Sequence, residues 1–194
     1  MYNFNALLAR LKYIPRWSLM RQNTEEDVAQ HTTEVMLVAH TLCLLANNEF
    51  GHKVDSEKVL VCGLYHDVSE ILTGDMPTPV KYNNDALHSA YKEMEKHAVS
   101  KLIETAHPCA KDELRSYMTQ DCLSEYEKKL LKGADKICAL TKCIEELQSG
   151  NKEFASAFKS IYVSIKEMKL DEVDFFMEHM LDGYKLCLDE LAKI

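Results

Sequence analysis

Apolar side chains recurring at alternating spacings of three and four residues run through this chain and restrict it to helices. The stripe Val28, His31, Val35, Val38, Leu42 and Leu45 shows the pattern over about five turns and lays one helical face against a core. No segment alternates apolar and polar residues as a half-buried strand would, and neither an Asn-Gly hairpin signal nor an internal repeat occurs. The expected fold class is all-α, a single-domain helical bundle over residues 1–194.

Breakers and caps divide that bundle. A first helix over residues 4–13 stops at Pro15, leaving Arg16 and Trp17 in a turn. A second begins near Thr24, which with Asp27 resembles a capping box. The third, over residues 56–72, carries Leu60, Leu64, Asp67, Val68 and Ile71 on its core stripe, with Val59, Cys62, Gly63 and His66 on the adjoining strip. Gly74, Pro77 and Pro79 then hold residues 73–82 as an extended loop. Helices follow over 85–107 and 111–118, from the Ser124 and Glu127 capping box to 147, and over 151–168 and 171–191.

Bulk properties exclude several functions. With 46% hydrophobic residues, 194 residues suffice for one core. A formal charge of −8 and scattered lysines leave no basic surface for long nucleic acid, although a small phosphate ester needs only one or two local cations. Seven cysteines without a C-x-x-C spacing read as free core thiols of a cytoplasmic protein. Residues 1–10 show no apolar stretch behind a basic start, and the longest apolar run, 35–46, contains His40 and Thr41. Neither a signal peptide nor a membrane span is expected.

Polar groups on apolar stripes carry the functional signal. His31, Asp67 and Asp135 each fall on an inward face of a different helix, with His66 beside Asp67. A buried carboxylate costs several kcal/mol unless it is paired or metal-bound, and few basic residues stand at matching inward positions. One divalent cation shared by His31, His66, Asp67 and Asp135 accounts for all four placements. Glu70, four residues beyond His66 on the same expected helical face, is placed for general acid or base work. Arg16 can fork onto phosphate oxygens, and Trp17 can wall a sugar or stack on a base. His40, His52, His88, His97, His107 and His179 have no evident inward acidic partner.

The pattern H…HD…D resembles the HD-domain metal-dependent phosphohydrolase superfamily. R-W-S-L-M-R at 16–21, V-A-Q-H-T-T-E-V at 28–35 and Y-H-D-V-S-E-I-L-T-G-D-M-P-T-P-V-K-Y at 65–82 narrow the resemblance to its bacterial 5'-deoxynucleotidases. K-G-A-D-K-I-C-A-L at 132–140 and G-N-K-E-F at 150–154 also fit. The resemblance implies an HD-type bundle, metal ligation by His31, His66, Asp67 and Asp135, and a catalytic role for Glu70. It further implies substrate contacts from Arg16, Trp17, His31, Asp67, Asp75, Met76, Pro77 and Thr78, a cobalt or manganese ion, and a homodimer.

The activity so implied is hydrolysis of deoxyribonucleoside 5'-monophosphates to nucleoside and phosphate, with Arg16 offsetting phosphoryl charge. Glu70 would protonate the leaving 5' oxygen or deprotonate the attacking water. Two other readings stand beside it: an HD phosphodiesterase or triphosphohydrolase acting on another nucleotide, and a non-catalytic nucleotide-binding module.

Overall fold

In the computed structural model, which describes residues 1–81 and 83–192, helices alone carry the architecture. They are α1 (Phe4–Leu8), α2 (Val28–Asn48), α3 (Ser56–Leu64), α4 (Glu70–Thr73), α5 (Thr78–Lys81), α6 (Asp85–Glu104), α7 (Lys111–Met118), α8 (Glu125–Gln148), α9 (Ala155–Lys166), α10 (Asp171–His179) and α11 (Leu188–Leu191). No strand forms among the described residues; an isolated bridge between Pro15 and Asp27 is the only extended pairing there.

The two long helices α2 and α8 pack on each other, with α3 against α2 and α9 against α8. Their contact holds the main core, where Leu42, Leu130, Ile137, Leu140 and Phe176 are buried. A smaller cluster of Phe4, Val68, Leu102, Ile103 and Met118 joins α1, α6 and α7 to the segment behind α3. Close approach of α10 to α8 depends on Gly133: a Cβ there would lie 2.7 Å from Cγ2 of Val173, nearer than side chains tolerate.

Caps set the starts of both long helices. Ser124 and Glu127 form the expected capping box at α8. At α2 the box is Asp27 with Gln30, each side chain meeting the other's backbone N–H at 2.9 and 3.0 Å, rather than Thr24 with Asp27. Thr24 belongs instead to a buried clasp centred on Glu146 of α8. That carboxylate accepts from the backbone of Asn23 and Thr24 at 2.9 and 3.0 Å, from Asn151 Nδ2 at 2.8 Å and from Lys142 Nζ at 2.7 Å. Lys142 also donates to the Thr24 carbonyl. Four donors fill the lone pairs of Glu146, whose pKa falls to about 2, the hydrogen bonds overcoming the burial that would raise it. The clasp fastens the segment carrying Arg16 and Trp17 to α8.

Several expected elements are interrupted. The span 4–13 is a short α-helix followed by a 3-10 turn, Leu11–Tyr13. The span 151–168 opens with a 3-10 turn, Lys152–Phe154, and 171–191 is divided by another, Leu181–Lys185. Within the expected loop, Thr78–Lys81 forms one helical turn, and Tyr82 lies outside the described residues.

The consequential break is in the third helix. It ends at Leu64, and i to i+3 hydrogen bonds carry the chain through 65–69 before α4 begins. The buried face of α3 is Val59, Cys62 and Gly63, and Leu64 is 42% exposed, so the strip expected to adjoin the core is the one that faces it. Of the seven free thiols, Cys43, Cys62, Cys138 and Cys143 are buried as expected, whereas Cys109 and Cys187 are exposed.

Candidate metal centre and phosphate site

His66 and Asp67 occupy the tight turns after α3, not a continuous helix, because the imidazole captures its own local backbone. His66 Nδ1 lies 2.7 Å from the Gly63 carbonyl. A carbonyl only accepts, so Nδ1 carries a proton and Nε2 is the nitrogen turned to the cluster. Nε2 lies 3.0 Å from Asp67 Oδ2 without hydrogen-bond geometry. A buried nitrogen and a carboxylate oxygen so placed call for a positive charge between them, either a proton on the imidazole or a metal cation.

His31, fully buried on α2, brings Nε2 to 3.1 Å from Asp135 Oδ1 and 3.7 Å from Asp67 Oδ2. One ligand atom each from His31, His66 and Asp67 lies within 4.8 Å of the others. Asp135, on α8, joins the group through His31, while its other oxygen meets Lys132 Nζ at 2.6 Å. Two imidazole nitrogens and carboxylate oxygens form a donor set suited to a divalent transition metal.

The charges respond to one another. Burial opposes ionisation of His31, but hydrogen bonds to Asp135 and Glu26 outweigh it and lift the pKa to about 9. Burial would raise Asp67, yet the adjacent His66 imidazolium brings it down to about 2. Asp135 is likewise held well below its ordinary value against burial, chiefly by Lys132 and His31. His31, His66, Asp67 and Asp135 would hold a divalent ion where protons now bridge the imidazoles and carboxylates, so loading the site would release protons.

Basic residues do pair the two aspartates, contrary to the sequence expectation. Arg16 Nη1 is 3.5 Å from Asp67 Oδ2, and Lys132 takes Asp135 from the solvent side. Neither cation lies on an apolar stripe: Arg16 comes from an irregular turn, and Lys132 reaches across from the exposed face of α8.

Glu70 opens α4 instead of extending the helix of His66, and its carboxyl is buried with Oε2 unbonded. Burial first, then the charges of Asp67 and Asp75, push its pKa up to about 9. It holds a proton at neutral pH beside the cluster.

Trp17 lies at φ 58°, a left-handed conformation that costs a bulky residue on the order of 1–3 kcal/mol. Its indole Nε1 donates to Glu26 Oε2 at 2.7 Å, its carbonyl accepts from Met20 N at 2.8 Å, and its ring tilts against Phe154. Asp75 hydrogen-bonds the Trp17 backbone, and burial raises its pKa. Met76 and Pro77 are half-buried after it, and Thr78 is exposed at the start of α5. Lys81 turns to Glu95 at 2.9 Å and to the Tyr91 ring. Among the remaining histidines, His52 has an acidic neighbour the sequence did not reveal, Glu172, at 3.7 Å.

Glu26 is the site residue the sequence analysis missed. It lies in the acidic run Glu25, Glu26, Asp27, where an acid reads as a solvated helix start, yet it is 7% exposed and touches Arg16, Trp17 and His31.

A helical bundle with this His and Asp cluster at the junction of α2, α3 and α8 defines an HD-domain phosphohydrolase. An HD-domain phosphohydrolase from Listeria innocua superimposes with a TM-score of 0.84 at 25% identity, over 94% of this chain and 88% of that one. A family model described as 5'-deoxynucleotidase YfbR-like matches residues 3–184, and the chain belongs to that family. A 5'-deoxynucleotidase of Vibrio vulnificus is 42% identical over 190 residues, 98% of both chains. The fold is shared with the HD phosphohydrolase DatZ of cyanophage S-2L, solved bound to dA and one catalytic Zn2+, at a TM-score of 0.69 and 20% identity over 92% of this chain and 96% of that one.

Proposed function

We propose that this protein hydrolyses deoxyribonucleoside 5'-monophosphates to deoxyribonucleosides and orthophosphate, using one divalent transition metal. The observation that carries the reading is the convergence of one ligand atom each from His31, His66 and Asp67 within 4.8 Å, with the buried Arg16 3.5 Å from Asp67 and the buried carboxyl of Glu70 under the influence of the same aspartate. Family membership and the 42% identical deoxynucleotidase support the substrate class.

His31, His66, Asp67 and Asp135 would hold the ion. When bound it supplies positive charge for the phosphoryl oxygens and makes water more acidic. Arg16 stays charged between Glu26 and Asp67 and offers its remaining N–H groups to the phosphate. Glu70 donates to the departing 5' oxygen, the acid of the two roles the sequence left open, a choice supported by its raised pKa. Trp17, with Asp75, Met76, Pro77 and Thr78, walls the sugar and leaves no room for a 2'-hydroxyl. Cobalt and manganese are the ions we favour for turnover, with zinc as the comparison because DatZ carries it.

No helix among the described residues is long and apolar enough to cross a membrane. We place the protein in the cytoplasm as a homodimer. The free buried thiols support the first assignment, and exposed Leu186, Leu188 and Leu191 leave apolar surface for the second; a monomer mass in light scattering would reject the dimer.

The deciding experiment measures phosphate release from matched ribo- and deoxyribonucleoside monophosphates with Co2+, Mn2+ and Zn2+. Faster release from the deoxy series is expected. Equal rates for the two series would remove the sugar selection, and no release from any monophosphate would remove the reading itself.

A further inference from the structure

We propose that Glu26 is a positioning residue that joins the metal cluster to the substrate-facing turn, so that metal occupancy is felt at Trp17. The proposal rests on the phosphohydrolase reading of the cluster. A single buried carboxylate makes three side-chain contacts here. Oε2 accepts from Trp17 Nε1 at 2.7 Å, while Oε1 lies 3.3 Å from Arg16 Nε and 3.5 Å from His31 Nδ1. Its backbone carbonyl also accepts from Arg16 N at 3.0 Å.

Each contact has a separate consequence. An acceptor behind His31 Nδ1 keeps the proton on that nitrogen and leaves the Nε2 lone pair for the cluster, the arrangement that makes an imidazole a good metal ligand. Occupying Arg16 Nε turns the far end of the guanidinium toward Asp67 and the phosphate site. Anchoring the indole N–H fixes the plane of Trp17 in its left-handed turn. A cation drawing density from His31 makes Nδ1–H a stronger donor to Glu26, which redistributes the hydrogen bonding that Glu26 offers to Trp17 and Arg16.

The residue type follows from the same geometry. One hydrogen bond, from Trp17 Nε1, and two longer ion-pair contacts, from Arg16 Nε and His31 Nδ1, converge on this position, and a carboxylate answers them with acceptors only. Glutamine would set its own N–H group against one of them, and aspartate falls one methylene short.

Trp17 is the only tryptophan of the chain, so its emission reports this turn directly. Metal-free wild-type protein is titrated with Zn2+, which is spectroscopically silent, while Trp17 emission is followed; Zn2+ affinity is measured by competition with a chelating dye for wild type and Glu26→Gln. The expected results are a Zn2+-dependent emission change in wild type, its loss in Glu26→Gln, and Zn2+ binding weakened by about 10- to 100-fold. KM for a deoxyribonucleoside monophosphate should also rise in the variant, because Arg16 and Trp17 lose their common anchor.

Wild-type Zn2+ affinity and KM in Glu26→Gln would overturn the proposal, as would wild-type emission that ignores Zn2+. The second measurement needs no variant, so it decides even if Glu26→Gln folds poorly. Failure of the phosphohydrolase reading would look different: wild type would release no phosphate, while the affinity and emission results would stand by themselves.

Discussion

Helix α8 carries two buried polar clusters about 10 Å apart along its axis, Asp135 at one and Lys142 seven residues later at the other, and they obey opposite rules. Around Glu146 the donors match the acceptors, and the group needs nothing from outside the chain. Around Asp135 and Asp67 the acceptors crowd together, His66 Nε2 faces an oxygen without a hydrogen bond, and Glu70 Oε2 has no partner. A satisfied cluster of this kind fixes structure. An unsatisfied one is a place for a ligand, kept open at some cost in stability.

Substitutions should separate the two. The largest effect is expected from Asp67→Ala, which should bring phosphate release to background and metal content below one ion per chain while the far-ultraviolet circular dichroism stays that of wild type. Unfolding instead would place Asp67 with the structural cluster. Glu70→Gln comes next, with metal content unchanged and turnover lower by about 100-fold or more; near-normal turnover would reject the acid role.

Glu146→Ala should show the reverse pattern. It removes the buried carboxylate that pairs with Lys142 and accepts from the Asn23 and Thr24 backbone and from Asn151, a loss of about 3 kcal/mol in urea unfolding, and the folded fraction should retain metal. A loss of metal at wild-type stability would erase the contrast between the clusters.

The smallest expected effect is a pH dependence that belongs to Glu146 alone. Its pKa is lowered to about 2 from an ordinary 4.5, so its contribution to stability is complete above pH 4.5 and is lost as pH falls toward 2. Comparing wild type with Glu146→Gln over that range should show a shallower acid loss in the variant; parallel curves would mean that other carboxylates govern it.

The sequence showed the unsatisfied cluster better than the satisfied one, for a physical reason. His31 and Asp135 interrupt apolar stripes, and a polar residue on such a stripe stands out. Glu146 follows exposed Glu145 and looks like a solvated helix end, because two of its four partners, Asn23 and Thr24, lie more than a hundred residues away. Glu26 was hidden in the same manner. His66 and Asp67 were found by their pairing, but their backbone was misread as helical. The 2.7 Å contact between His66 and the Gly63 carbonyl is a side-chain competition with the helix that periodicity does not register. Arg16 and Trp17 were placed in the right turn, although neither the positive φ of Trp17 nor its anchor could be read from Pro15.

Gly133 extends the lesson to an atom that is absent. Two residues before Asp135, it lets α10 seat where a methyl group would strike Val173 at 2.7 Å. Any side chain there would act as a wedge between α8 and α10, and relieving it by turning α8 would swing the Asp135 carboxylate away from His31. The alignment of the His and Asp cluster is thus guarded from outside its own residues, by hydrogen where carbon would jam the machine.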